Sequence, residues 1–315
     1  MMIGIEDVEL ARDRIAPYVR TTPVYEAGRE REALPVSASV VLKLELLQVT
    51  GSFKARGAMN RLLGARPEEI AAGIVTASGG NHGLAVARSA FVAGVPAFVY
   101  VPETVSPVKV DKMRKWGADV RIVGAEWAVS NEAALAFARD SGAAYFHPFA
   151  DPLVVAGQGT LGLEIMEQIA DFDTVVVAIG GGGLVSGLAT AIKARRPEVN
   201  IVAVEPAGSP TMKASLDAGE VVTLGELTSK VATMSCRRTD ERLFEIARRH
   251  VKDVVLVSDE EMLAAAQWLW FEHGIAADLA GSASVAALRS GHGVLATSQR
   301  ICALVCGAGP EGTVL

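Results

Sequence analysis

Cysteine is scarce in this chain. Cys236, Cys302 and Cys306 are its whole complement among 315 residues, and so odd and sparse a count is no disulfide framework. Cys302 and Cys306 lie four apart on the strand-like run ICALVC, without a nearby Cys or His partner, which is a poor zinc site. Basic stripes are absent too, and no aromatics interleave with basic residues; the net charge is −6. A nucleic-acid partner needs clustered cations, so this composition argues against one. The first ten residues, MMIGIEDVEL, carry Glu6 and Asp7 and no apolar h-region, so we expect no signal peptide and a cytoplasmic location. One long uncharged run stands out, Thr174 to Ile192, TVVVAIGGGGLVSGLATAI, 19 residues long and near the length of a membrane span. Four consecutive glycines interrupt it. A strand, a tight loop and a helix start describe it better, so we expect no membrane partner.

What is there is apolar and alternating. Half of the residues are hydrophobic, and the length exceeds one typical domain, so two domains are expected. Short apolar runs alternate with helical patterns. GIVTAS (73–78), AFVYV (97–101), DVRIVG (119–124), TVVVAI (174–179), NIVAVE (200–205), DVVLVS (253–258) and ICALVC (301–306) read as strands. LAVARSAFVAG (84–94), VKVDKMRKWGA (108–118), WAVSNEAALAFARDSG (127–142), LVSGLATAIKARR (184–196) and EEMLAAAQWLWFEHG (260–274) read as helices. Strands that are apolar throughout are buried on both faces, which predicts parallel sheets in an α/β fold. The prolines and aromatics of AYFHPFADP, 144–152, mark a seam.

Three loops carry the chemistry. Gly180-Gly181-Gly182-Gly183 follows the strand TVVVAI and opens a helix. Successive backbone N–H groups there can converge on one anion, helped by the helix dipole, and phosphate is the obvious guest. A nicotinamide-binding unit shares the layout, with Glu205 as its acid, but the G-x-G-x-x-G spacing ends on Val185 or Ser186 instead of glycine. The second loop, Ser78-Gly79-Gly80-Asn81-His82-Gly83, also joins a strand to a helix. Its N–H groups and the Ser78 hydroxyl can hold a carboxylate, and His82 has no triad partner beside it. The third is TGSFKARGA, 50–58. Ser52 reads as a helix N-cap, and an amine at Lys54, near a positive helix end and near Arg56, should have a lowered pKa and be nucleophilic. A phosphate loop, a carboxylate loop and such a lysine together point to pyridoxal phosphate held as a Schiff base.

With these residues the sequence resembles the fold-type II pyridoxal-phosphate enzymes, in particular the serine/threonine dehydratase and serine racemase group. S-F-K-x-R-G-A at 52–58, S-x-G-N-H at 78–82 and GGGGL at 180–184 occur in that family's order over nearly the whole chain. The resemblance implies two three-layer α/β domains of the tryptophan synthase β-like fold. A small domain, 46–145, would carry Lys54 and the asparagine loop, and a large one, 1–45 plus 146–315, the glycine loop. It implies that Lys54 and Ser78 are catalytic, with Lys54 bound to the cofactor and Phe53 packed against the ring. Gly180, Gly181, Gly182, Gly183 and Leu184 would hold the phosphate, Asn81 would lie near the ring hydroxyl, and Cys306 would stand beside the pyridine nitrogen. Ser78, Gly79, Gly80, Asn81 and His82 would clasp the substrate carboxylate. The implied activity is β-elimination on a hydroxy amino acid such as threonine or serine, releasing a 2-oxo acid and ammonia, in a homodimer. The alternatives are a dehydratase for a larger or acidic 3-hydroxy amino acid (hydroxyaspartate, phenylserine, or the hydroxyectoine-pathway kind) and a serine racemase.

Two positions depart from the family pattern. Gly79 stands where racemases carry a second serine, which favours elimination over racemisation. Thr211 stands where the cation-binding members have their second acid after Glu205, so no metal is expected. Arg237 and Arg238 precede the amphipathic stretch ERLFEIARRH. A solvated face is the plain reading, and a cleft-facing arginine that selects a second substrate anion is the sharper one.

Overall fold

The computed structural model describes residues 3–314 and contains two sheets. The strands are β1 (Val24–Ala27), β2 (Ser39–Lys43), β3 (Ile74–Ala77), β4 (Ala97–Val101), β5 (Asp119–Ile122), β6 (Ala144–Tyr145), β7 (Thr174–Ala178), β8 (Asn200–Pro206), β9 (Asp253–Val257) and β10 (Arg300–Leu304). The larger sheet has the order β1-β2-β10-β7-β8-β9, and the smaller β5-β4-β3-β6. Among the pairings of these described strands, β1–β2 is antiparallel and the others are parallel, with registers such as Ile301 opposite Thr174. The α/β class with mainly parallel sheets is therefore observed. Burial explains it: β3 and β7 are buried at every position, so each must be covered on both faces, which crossover helices do.

Every strand expected from an apolar run is present, with ends shifted by a residue or two. The run 174–192 is a strand, a glycine loop and the helix Gly183–Arg195. No helix among the described residues is long and apolar enough to cross a membrane. Residues before 46 supply the helix Ile5–Ile15 and the strands β1 and β2 of the larger sheet.

The helix Lys54–Leu63 crosses the helix Pro152–Gln168 at glycines. A Cβ on Gly57 would lie 2.3 Å from Gln158 Nε2 and 2.7 Å from the Val154 carbonyl oxygen; one on Gly157 would lie 2.7 Å from the Gly57 Cα. The Asp151 carboxylate caps the second helix by accepting from the Leu153 and Val154 amides, and it pairs with Arg61 of the first at 2.7 Å.

Candidate active site

Parallel α/β sheets place their loops for chemistry at the carboxyl ends of strands. In the larger sheet β2, β10 and β7 are neighbours. The chain leaving β2 leads to Lys54, that leaving β10 to Cys306, and that leaving β7 to Gly180–Gly183. In the smaller sheet β3 and β6 are neighbours, leading to Ser78–His82 and to His147. The sheet order thus gathers residues that are far apart in sequence.

The lysine segment is pinned to the last loop. Ser52 and Gly307 form an isolated antiparallel bridge, and the Phe53 amide donates to the Cys306 carbonyl at 3.3 Å. Ser52 is not the N-cap expected from sequence. The helix starts at Lys54 after Phe53, without a side-chain cap, and the Ser52 hydroxyl is buried without a partner. The bridge to Gly307 holds Ser52 in extended backbone, away from the helix amides.

Lys54 Nζ donates to the Pro148 carbonyl at 2.7 Å and lies 5.2 Å from the centre of the Phe53 ring. Burial pulls its pKa down to about 8. The expectation that Arg56 depresses Lys54 is corrected here. Residues two apart on a helix point about 200° apart, and Arg56 is turned into a buried charge network on the far side. Its guanidinium meets Glu45 at 2.6 Å and Glu164 at 2.8 Å, and Lys43 meets Glu164 at 2.5 Å.

The glycine loop is built around Phe149. A Cβ on Gly181 would lie 2.3 Å from that ring, one on Gly183 2.9 Å from the Phe149 carbonyl, and Gly182 has φ +97°. Only glycine fits so tight a path. The loop opens the helix Gly183–Arg195, whose first amides have no intrahelical acceptor. Leu184 is buried in the core of the larger sheet, so its contribution to an anion site is its backbone. Cys306 is also buried, its thiol directed at the Ala280 carbonyl (3.4 Å). Burial first and Asp278 second push its pKa up, so it stays a neutral thiol.

The second loop is held from behind. Ser78 donates its amide to the Tyr100 carbonyl, and the Gly80 amide reaches the Ser78 hydroxyl at 3.4 Å. Gly83 is obligatory, since a Cβ there would sit 2.1 Å from the Ser78 carbonyl oxygen. A Cβ on Gly79 would meet Val105 at 2.5 Å. His82 donates Nε2–H to the Phe146 carbonyl at 3.2 Å, and burial followed by Lys54 pulls its pKa down to about 3, so it is neutral. The Asn81 amide donates to the Asp278 carboxylate at 3.0 Å, joining the small-sheet loop to the N-cap of the helix Leu279–Arg289.

The arginine pair does not face the cleft. Arg237 and Arg238 are exposed. Arg237 donates to the Gly225 carbonyl; Arg238 donates to the Val221 carbonyl and pairs with Glu241 at 2.6 Å. The solvated-face reading stands, and the cleft-facing one is corrected: the carbonyls of 221–225 draw both guanidinia outward. Glu205 is occupied as well. Its carboxylate accepts from the Met212 and Lys213 amides at 2.8 and 2.9 Å, capping the helix Thr211–Ala218, and burial raises its pKa to about 7.

Sequence reading missed His147, Phe149, Asp278 and residues 231–233, and it gave the segment from Met234 onward no role beyond its arginines. Thr233 abuts Gly80, and Met234 abuts Gly180. The histidine sat in AYFHPFADP, which reads only as a seam.

Comparison with known proteins places these features in a family. The family model described as pyridoxal-phosphate-dependent enzyme matches residues 15–307. The L-threonine ammonia-lyase of Geobacter sulfurreducens is 37% identical over 297 residues, covering 94% of this chain and 73% of the relative. The phenylserine dehydratase of Ralstonia pickettii is 36% identical over 300 residues, covering 95% and 91%. Among solved structures, maize serine racemase superposes with a TM-score of 0.92 at 30% identity over 98% of this chain and 94% of that one. A threonine deaminase from T.th. does so with 0.90 at 36% identity, covering 98% of each. The nicotinamide reading of the glycine loop is thereby overturned. With its fold-type II architecture and this match over most of its length, the chain belongs to the family of pyridoxal-phosphate-dependent enzymes.

Proposed function

We propose that the protein is an ammonia-lyase that dehydrates and deaminates a β-hydroxy amino acid such as threonine or serine to a 2-oxo acid and ammonia. What supports this is geometry: the amine of Lys54 donates to the Pro148 carbonyl, and the next residue, Phe149, packs on the glycine loop, while burial lowers the amine's pKa to about 8. The residues present fit the cofactor. The loop leaves no room for a side chain at Gly181 or Gly183 and holds Gly182 at φ +97°, yet opens a helix N-terminus, which suits a phosphate. Lys54 suits an aldehyde, and the Cys306 thiol suits an uncharged neighbour for the pyridine nitrogen.

When bound, pyridoxal phosphate supplies an electron sink for the bond broken at the α-carbon. The chain's own residues do the rest. Lys54 is half neutral near pH 8, so it can attack a carbonyl and then, displaced by substrate, accept the α-proton. The amides after Ser78, with its hydroxyl, receive the substrate carboxylate at a helix N-terminus. His82 stays neutral and keeps the loop in place through Phe146. Gly79 offers no side chain to return a proton from the opposite face, which favours elimination over racemisation.

The assignment extends to a small domain of 46–145 and a large one of 1–45 plus 146–315, each with its own sheet, and to a homodimer resident in the cytoplasm. The test is release of 2-oxo acid and ammonia from L- and D-serine, L- and D-threonine, 3-hydroxyaspartate and phenylserine. Matched release from one or two of these, lost in Lys54→Ala together with borohydride-trapped colour, is the expected result. Silence across the panel in a protein that binds pyridoxal phosphate would overturn the substrate class. Release from phenylserine alone would move the reading to the larger-substrate dehydratase, the activity named for the Ralstonia relative.

A further inference from the structure

We propose that His147 is a positioning residue for Lys54: its Nδ1 folds residues 147–150 into the turn that sets the Pro148 carbonyl against Lys54 Nζ. This rests on the reading of Lys54 as the reactive amine. The imidazole Nδ1 accepts two backbone N–H groups, from Phe149 at 3.2 Å and from Ala150 at 2.9 Å. Only an unprotonated nitrogen can accept them, so the ring carries its proton on Nε2.

Each residue of the turn then touches a different part of the site. The Pro148 carbonyl accepts from Lys54 Nζ at 2.7 Å. The Phe149 ring lies on Gly181, and its backbone lies on Gly183. The Ala150 carbonyl accepts from Arg242 at 2.7 Å. Edge-on rings of Tyr145 and Phe149, at 6.1 and 4.6 Å between centres, fix the imidazole plane. The residue before it, Phe146, is anchored by Thr76 and His82 through its carbonyl.

A protonated His147 would direct an N–H at two N–H groups and open the turn. Its surroundings oppose that. Burial first, then Lys54, pull its pKa down to about 4, with Asp151, Asp240 and Arg242 also facing it. The ring acts through the turn and not on substrate. An Asx-type acceptor at 147 should therefore replace it, because an asparagine Oδ1 accepts amides two and three residues on.

The experiment compares full-length wild type, His147→Leu and His147→Asn, each stripped of cofactor and titrated with pyridoxal phosphate between pH 6 and 10. The readout is the pH midpoint of covalent uptake, followed by absorbance and borohydride trapping. The midpoint of wild type is the reference for both variants. His147→Leu keeps the site dry but loses the carbonyl that stabilises the ammonium, so its midpoint should fall by about one to two pH units. His147→Asn should titrate like wild type. With substrate, kcat should drop in the leucine variant and recover in the asparagine variant, with KM little changed.

A leucine variant that titrates like wild type, or an asparagine variant displaced as far as the leucine one, would overturn the proposal. If His147→Leu does not fold, His147→Gln takes its place. It moves the acceptor one bond outward, so its midpoint must differ from that of the asparagine variant. Covalent uptake that persists in Lys54→Ala would instead overturn the assignment of the lysine, whatever the His147 variants do.

Discussion

The charge network behind Lys54 predicts a large and specific cost for losing Arg56. Its guanidinium touches Glu45 at 2.6 and 2.9 Å and Glu164 at 2.8 Å. Lys43 touches Glu164 at 2.5 Å, Gln168 at 2.6 Å and the Thr22 carbonyl at 2.6 Å. Two acids and two bases make the cluster neutral. In Arg56→Met the stem is retained and the charge is removed. Glu164 keeps Lys43, but Glu45, with no side-chain exposure, keeps only the Thr22 hydroxyl and the Gln48 amide. Breaking a buried pair by removing one partner costs about 3–5 kcal/mol, because an uncompensated charge stays behind. Removing both charges should cost far less, so Arg56→Met/Glu45→Gln should recover most of the loss. Urea unfolding at pH 7 of wild type, the two single variants and the double variant gives the coupling directly. A loss below about 1 kcal/mol in Arg56→Met, or strict additivity in the double variant, would show that the cluster behaves as a surface ion pair and does not brace the lysine helix.

Two further predictions follow from burial. Gly57→Ala places a Cβ 2.7 Å from a main-chain oxygen of the crossing helix, which cannot swing aside, so the helices must part at a cost of about 1–3 kcal/mol; an unchanged Tm would show a looser crossing. His82 has its pKa pulled from 6.5 down to about 3 by burial, so between those values the unfolded chain binds a proton that the folded chain does not. Its stabilisation is full above about pH 6.5 and drains as pH falls, by up to about 1.4 kcal/mol per unit. Urea midpoints measured from pH 7 down to pH 4 should show that slope, and His82→Asn should flatten it; equal slopes in the two proteins would refute the assignment.

What was legible in the sequence was whatever a short stretch specifies by itself. β3, β7 and β8 read as strands because nearly all their residues are buried, and a run without polar interruption records that. The glycine loop and the lysine motif are local too. The helix Pro152–Gln168 was not legible for the opposite reason. It is buried from Val154 to Leu163 on every side, with Gly157, Gly159 and Gly162 inside it, so it has neither an amphipathic stripe nor the composition of a helix. β1, two of whose four residues are exposed, gives no apolar run either. In the site, His147 owes its position to strand order, β6 beside β3, and Asp278 to the bridge between Ala277 and Ala308, neither of which a local pattern encodes. Arg56 differs from these. A helical spacing of two already puts Lys54 and Arg56 on opposite faces, so its turn away from the lysine could have been read from the sequence. The same geometry gives the pair its logic: one face of a single helix turns an amine without an acidic partner toward the cleft, while the other locks that helix to Glu45 and Glu164 through largely buried charges. The lysine can titrate near pH 8 because the residue two positions on, not the lysine itself, carries the task of holding the helix in place.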